Sequence, residues 1–315
     1  MLSTGQRLTQ IVRRRKPLRL LPTPSTSSSK EKPFPQRAFV MNLEGDFRVV
    51  EKELRRRGVE VVRIMSDPDH DFGFREEMSK YTLDEGDLIV AIPAFTRYAM
   101  KTMRIRVPDP PDYPSCLRDL LHRKIHRSTL GALRSLSNEK LSKMYMKPAL
   151  DAKLFNGLIP SKDWLDILIH RYGSSISVYC SEIVDIVGEY GVYVVNAGIR
   201  SIVHYGCKSS VCKCVGIAGT KNGVDPDLDV IEDAVRRLAS SDEGRDLSCG
   251  YRADFAVIRI PTSKDDCDVF RYATCLIEVN DAYVAGMYAG VSEKDFVDMH
   301  IERFRSFHRR HHFTT

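Results

Sequence analysis

The sequence predicts an α/β protein: a small lobe with a parallel sheet, then a longer α+β region built on antiparallel strands. Three observations carry that class. Residues 37–42 and 59–64 are short apolar runs separated by a helix-period segment with Phe47, Val50 and Leu54, the pattern of a βαβ unit. Residues 188–205 alternate in character on either side of Asn196-Ala197-Gly198, as the two strands of a hairpin do. Cys275-Leu276-Ile277-Glu278-Val279-Asn280-Asp281 is an apolar run that reads as a buried strand ending in polar residues.

At 315 residues and 43% hydrophobic content, the chain is long enough for one large or two to three small domains with cores of their own. No run approaches the roughly 20 apolar residues of a membrane-spanning helix, so no membrane is expected as a partner. The net charge of +6 is concentrated at the start, where residues 1–30 hold seven Lys or Arg and no acid. The other 285 residues carry 41 basic against 42 acidic side chains. Such a body lacks the clustered cations that phosphate-backbone binding needs, which argues against nucleic acid. The Arg- and Ser-rich opening fits either an organelle transit peptide or a plain disordered tail. The eight cysteines have no paired spacing, so a reducing compartment is expected: cytoplasmic, or mitochondrion or plastid if the opening is a transit peptide.

In chain order, the βαβ unit is followed by a third buried strand at residues 87–91, giving a small parallel lobe over residues 37–110. Asn42-Leu43-Glu44-Gly45 matches neither the dinucleotide fingerprint nor the P-loop, so nucleotide is not assigned to this lobe. Four prolines in residues 107–114 mark an irregular connection and a boundary. From residue 117 to about 136, Leu117, Leu120, Leu121 and Ile125 at helical spacing predict a helix whose basic residues form a solvated face. Lys124 there is weighed as a phosphate contact against a bare surface lysine.

Residues 144–148 read as a strand with Lys147 near its end, followed by a polar loop with Lys153 closed by Gly157. An ammonium and a glycine loop suit phosphate oxygens. A helix is expected over 164–172 and a strand over 176–184 carrying Glu182. Residues 207–225 form an irregular insertion. Its Cys207, Cys212 and Cys214, with His204, match no structural zinc spacing. Pro226 with Leu228, Ile231, Val235 and Leu238 predicts an amphipathic helix capped by Asp225. Residues 253–258 are a buried strand with one carboxylate, Asp254, which needs a partner among its apolar neighbours. Glu278 and Asn280 on the next strand are the candidates, and period-two geometry puts both on one face. Such oxygen donors suit Mg²⁺, while the plainer alternative is a strand end entering a turn. A helix over 292–307 precedes a basic end at 309–315.

The ordered set Lys147-Pro148, Lys153 to Gly157, Ser181-Glu182, Glu189 to Val194, Asp254 and Glu278-Val279-Asn280-Asp281 resembles the ATP-grasp superfamily, most closely its compact members. The resemblance implies an ATP-grasp fold over residues 111–308, in subdomains of about 111–180 and 181–308, preceded by the small parallel α/β lobe. It implies that Lys147 contacts the α- and β-phosphates of ATP, that Lys153 to Gly157 form a lid, and that Glu182 to Val184 meet adenine. Glu189 would hold the ribose, and Asp254, Glu278 and Asn280 would ligate Mg²⁺. The implied activity is a carboxylate–amine or carboxylate–thiol ligase working through an acyl phosphate, with small-molecule or peptide carboxylate and amine substrates. Gly191 stands where similar proteins carry an arginine. That departure leaves open an ATP binder without turnover, and makes Arg200 on the returning strand a candidate catalytic replacement.

Overall fold

The computed structural model describes residues 34–65, 76–77, 79–150, 154–155, 157–207, 225–262 and 269–311. The basic opening at 1–30, Lys153, and residues 208–224 with Cys212 and Cys214 lie outside the described residues.

The first lobe is the predicted parallel unit. β1 (Arg37–Met41) lies between β2 (Glu60–Ile64) and β3 (Asp87–Val90), with Phe39 opposite both Val62 and Ile89. α1 (Asp46–Arg56) opens after Gly45, whose φ of +71° and ψ of −127° suit glycine, and is followed by Gly58 at φ +77°. α2 (Pro93–Thr102) starts on a proline at its first turn, a start signal that the apolar pattern alone does not carry. The long C-terminal helix, α7 in the numbering completed below (Glu293–His311), lays Phe296, Val297 and Phe304 against Phe39, Leu54 and Leu88 of this lobe in one buried cluster. It begins within a residue of its expected start and runs past the expected end.

A charge network also joins α1 to that helix. Buried Glu53 accepts from Arg56 at 2.6 and 2.7 Å and from Arg57 at 2.8 Å, and Arg57 reaches Asp298 at 2.6 Å. The Arg56 and Arg57 bonds outweigh burial and hold the Glu53 carboxyl down at about 2. A carboxylate whose folded pKa is depressed contributes stability above its unfolded pKa and loses it as pH falls through the folded one. Melting temperature is therefore expected to fall between about pH 4.5 and pH 2, with a shallower fall in Glu53→Gln; identical acid limbs would show that Glu53 makes no such contribution.

The remainder holds two four-stranded antiparallel sheets. The first, in the order β4-β7-β5-β6, comprises β4 (Ile125–Thr129), β5 (Met144–Pro148), β6 (Gly157–Leu158) and β7 (Ser177–Glu182). α3 (Leu130–Leu133), α4 (Asn138–Ser142) and α5 (Lys162–Tyr172) accompany it. Met146, Val178 and Cys180 pack on Leu165 and Leu168 of α5, and alternation turns Lys147 and Tyr179 to the other face. The second sheet, in the order β11-β10-β8-β9, comprises β8 (Asp185–Val195), β9 (Gly198–Cys207), β10 (Gly250–Pro261) and β11 (Phe270–Asp281). Its Val192, Val194, Tyr251, Ala253, Phe255 and Val279 pack on α6 (Leu228–Ser240), leaving the opposite face for polar side chains. The predicted hairpin is present, turning on Asn196 and Ala197 at φ +50° and +57° as primed turns require. Among the described residues no helix is long and apolar enough to cross a membrane.

Two expectations are corrected. The helix expected from 117 to 136 is instead a 3₁₀ segment (Ser115–Leu121), a left-handed His122 at φ +47°, β4, α3 and α4. Helical spacing ends at Ile125, where β-branched Ile125 and Thr129 pair with β7. New helices then start where the Thr129 and Ser137 hydroxyls accept from Ala132 and Lys140 amides. The cap of α6 is Asp227, not Asp225, because its carboxylate accepts from the Asp229 and Val230 amides.

Candidate functional site

The polar face of the second sheet meets the Lys147 face of the first. β10 and β11 put Asp254 directly opposite Glu278 and Arg252 opposite Asn280. At Ile277 the ladder carries one extra residue, since pairing passes from Asp254–Glu278 to Phe255–Leu276. This bulge resets the alternation, sending Leu276 and Val279 to the apolar core while Glu278 and Asn280 share the polar face.

Asn280 donates its Nδ2 to Glu278 Oε1 at 2.9 Å and to Asp254 Oδ2 at 3.0 Å, so both carboxylates converge on one point. Arg252, two residues before Asp254 on the same strand, donates to Asp254 Oδ2 at 2.8 Å and to the Gly286 carbonyl at 3.1 Å. Its guanidinium lies 4.5 Å from the Tyr288 ring centre, and Tyr288 stacks on Tyr205 at 4.0 Å. Across the gap, Lys147 Nζ bonds Asp112 Oδ1 at 2.6 Å and Glu278 Oε2 at 2.7 Å, and sits 4.8 Å from the Tyr113 ring centre.

The electrostatics follow from this crowding. Burial, reinforced by Glu278 and Glu189, pushes Asp254 up to about 7 against the pull of Arg252. Burial and Glu278 also raise Glu189. Burial alone would raise Glu278, but Lys147, Asn280 and Arg252 hold it below its ordinary value. Burial alone would lower Lys147, yet Glu278, Tyr113 and Asp112 keep it firmly protonated.

Two buried atoms here have no hydrogen-bond partner among the described residues: Asp254 Oδ1 and Arg252 Nε. An orphaned carboxylate oxygen beside a second carboxylate and a carboxamide is a donor set that fits a hard divalent cation. Among the described residues no group of three or more His, Cys, Asp or Glu is placed to hold a metal, so such an ion would need further oxygens from a ligand.

The other expected residues fall around this centre. Glu189 is half-buried on β8, its carboxylate over Gly206, where an added Cβ would lie 2.8 Å from Oε2. Val184 packs with Ile186 and Ile277 on Ala256, Ile258 and Cys275, an apolar patch beside the polar cluster. Glu182 is exposed at the end of β7 and accepts from the Lys124 amide at 2.9 Å, which ties the two strand ends together. Gly157, at φ +132°, pairs with Met146 next to Lys147. Arg200 is exposed at the β9 bulge between the Tyr193–Ser201 and Val194–Ile199 pairs, and makes none of the contacts above. His204 stacks against Tyr190 on β8.

Four contributors escape the sequence reading. Arg252 was legible in principle, since period two puts it on the Asp254 face and a buried aspartate needs a counter-charge. Asp112 lies in the proline-rich connection, which has no period to read. Tyr205 is the extra residue of a second bulge, between the Glu189–Gly206 and Tyr190–His204 pairs. Tyr288 comes from the segment after β11 and explains Gly191, where an added Cβ would lie 2.9 Å from Tyr288 Cδ2. Gly191→Ala is accordingly expected to displace Tyr288 and loosen Arg252; unchanged near-UV circular dichroism and unchanged turnover would contradict this.

A family model described as "ATP-grasp domain", the second family of its clade, matches residues 120–299. No curated protein matches the chain. Among solved structures, D-alanine–D-alanine ligase from Bacillus anthracis is 12% identical with a TM-score of 0.50, covering 87% of this chain and 98% of that one. An L-amino acid ligase from Bacillus licheniformis is 13% identical with a TM-score of 0.47, covering 79% and 68%. A RimK domain ATP-grasp protein from Sphaerobacter thermophilus is 11% identical with a TM-score of 0.47, covering 85% and 97%.

Proposed function

The chain belongs to the ATP-grasp domain family, and from that premise we propose that it is an ATP- and Mg²⁺-dependent ligase joining a carboxylate to an amine or thiol through an acyl phosphate. The observation that carries this reading is the convergence of Arg252, Asp254, Glu278 and Asn280 opposite Lys147, with one oxygen and one N–H left without partners.

Asp254, Glu278 and Asn280 would hold the cation, which when bound neutralises charge on the β- and γ-phosphate oxygens. Lys147 exchanges Asp112 and Glu278 for phosphate oxygens; it is a protonated, pre-placed charge that needs no proton transfer. The patch of Val184, Ile186, Ala256, Ile258 and Ile277 suits the flat apolar base, and the Glu189 carboxylate on the same face suits the ribose hydroxyls. Arg252 is rigidly held by Asp254, the Gly286 carbonyl and Tyr288, with Nε free to donate, so it replaces Arg200 in our reading as the cation facing the transferred phosphoryl group. A substrate carboxylate oxygen attacks the γ-phosphorus and ADP leaves. The amine or thiol then attacks the acyl carbon, and inorganic phosphate leaves as a proton is lost from the nucleophile. The likeness to a ligase that joins two amino acids makes amino-acid and peptide carboxylates the first to try.

ATP binding without turnover is the second reading, favoured by Gly191, where Tyr288 leaves no room for an arginine side chain. Paired amino acids and short peptides incubated with Mg-ATP separate the two. A ligase releases ADP and phosphate only when both partners are present; a binder protects ATP and releases neither over the whole panel.

A further inference from the structure

β11 is an edge strand, paired on one side with β10. Its bulge at Ile277 aims Glu278 at the polar face, and a bulge on an edge leaves carbonyls that the ladder cannot satisfy. One side chain meets them. Arg123 donates through Nη1 to the Leu276 carbonyl at 2.8 Å and through Nη2 to the Ile277 carbonyl at 2.8 Å. Nη1 also reaches the Leu121 carbonyl at 3.1 Å and Cys275 Sγ at 3.3 Å, and Cys275 Sγ in turn contacts the Leu121 carbonyl at 3.1 Å. A planar guanidinium thus clamps two successive carbonyls at the bulge and ties them to the end of the 3₁₀ segment. A lysine ammonium, with no fixed fork, cannot reproduce this clamp.

The clamp sits between the two sheets. Arg123 follows left-handed His122 and precedes β4, so the chain passes from the β11 side to the Lys147 sheet at this residue. Its guanidinium also lies 5.8 Å from the ring centre of Tyr113, the ring facing Lys147.

We propose that Arg123 is a positioning residue for the cation: by holding the Ile277 bulge it fixes the Glu278 carboxylate beside Asp254 and Asn280. This rests on the reading of Glu278 as a cation ligand. Residues that orient ligands without touching the metal typically change affinity by about 10- to 100-fold when removed.

The test is Mn²⁺ binding to the full chain with ADP, read from the free Mn²⁺ signal in electron paramagnetic resonance, alongside ADP affinity measured without metal. Arg123→Met should weaken Mn²⁺ binding by roughly 10- to 100-fold while metal-free ADP affinity stays within about twofold. Arg123→Lys should fall between Arg123→Met and the parent. A folded Arg123→Met with parental Mn²⁺ affinity overturns the proposal. If Arg123→Met does not fold, Arg123→Lys decides, and parental Mn²⁺ affinity in that variant overturns it equally. Glu278→Gln separates the two levels. If Glu278→Gln loses Mn²⁺ and the Arg123 variants do not, only the role of Arg123 falls. If Glu278→Gln binds Mn²⁺ like the parent, the ligand reading falls with it.

Discussion

Arg252→Ala is expected to cost about 10²- to 10³-fold in turnover, the usual effect of removing one pre-placed donor from a developing charge. The same change should lower stability. Arg252 and Asp254 are both nearly fully buried and bonded at 2.8 Å. Removing one partner of a buried pair costs about 3–5 kcal/mol, because the other charge is left without compensation. Asp254 is already pushed up to about 7, so it can take up a proton instead, which places the expected cost at the lower end of that range. Arg252→Lys keeps the charge but loses the planar fork that reaches both Asp254 and the Gly286 carbonyl, so intermediate turnover is expected. Steady-state kinetics and thermal melts of the two variants check this. Arg252→Ala with parental turnover would transfer the catalytic charge elsewhere, with Arg200 the next candidate.

Lys147→Met is expected to have the second largest effect. The ammonium separates Asp112 from Glu278, and Asp112 is raised chiefly by burial even with Lys147 beside it. Without Lys147 two buried carboxyls face each other, and one is expected to protonate. The loss is again about 3–5 kcal/mol before that relief, which for a chain of this size corresponds to a melting temperature lower by roughly 10 °C. ATP affinity should fall at least about tenfold, since one charge-assisted phosphate contact is worth about 1.5–3 kcal/mol. Calorimetric titration with a non-hydrolysable ATP analogue checks the first expectation and a melt the second. Tight binding by Lys147→Met would mean that the nucleotide phosphates lie elsewhere.

The parts of this site that the sequence made legible are those with a period. Glu278 and Asn280 alternate with Val279 on one strand, so their common face followed from geometry alone, and Asp254 was conspicuous as a carboxylate in an apolar run. The parallel lobe and the hairpin were legible for the same reason. What escaped depends on breaks in periodicity or on distance. Tyr205 and Ile277 occupy bulges, each of which shifts the alternation by one residue. Asp112 reaches Lys147 from an irregular connection, held by a single bridge to Val279. Arg123 sat among basic residues that local spacing assigned to a solvated helix face. Its partners are carbonyls more than 150 positions away, and no local pattern records them.

The central claim is that these residues bind ATP through a divalent cation. It is tested most directly by titrating a non-hydrolysable ATP analogue into the full chain with and without Mg²⁺, in the parent and in Glu278→Ala combined with Asn280→Ala. Mg²⁺ is expected to tighten binding to the parent by at least about tenfold, and the double variant is expected to lose this gain while still folding. Equal tightening by Mg²⁺ in both proteins would contradict the claim.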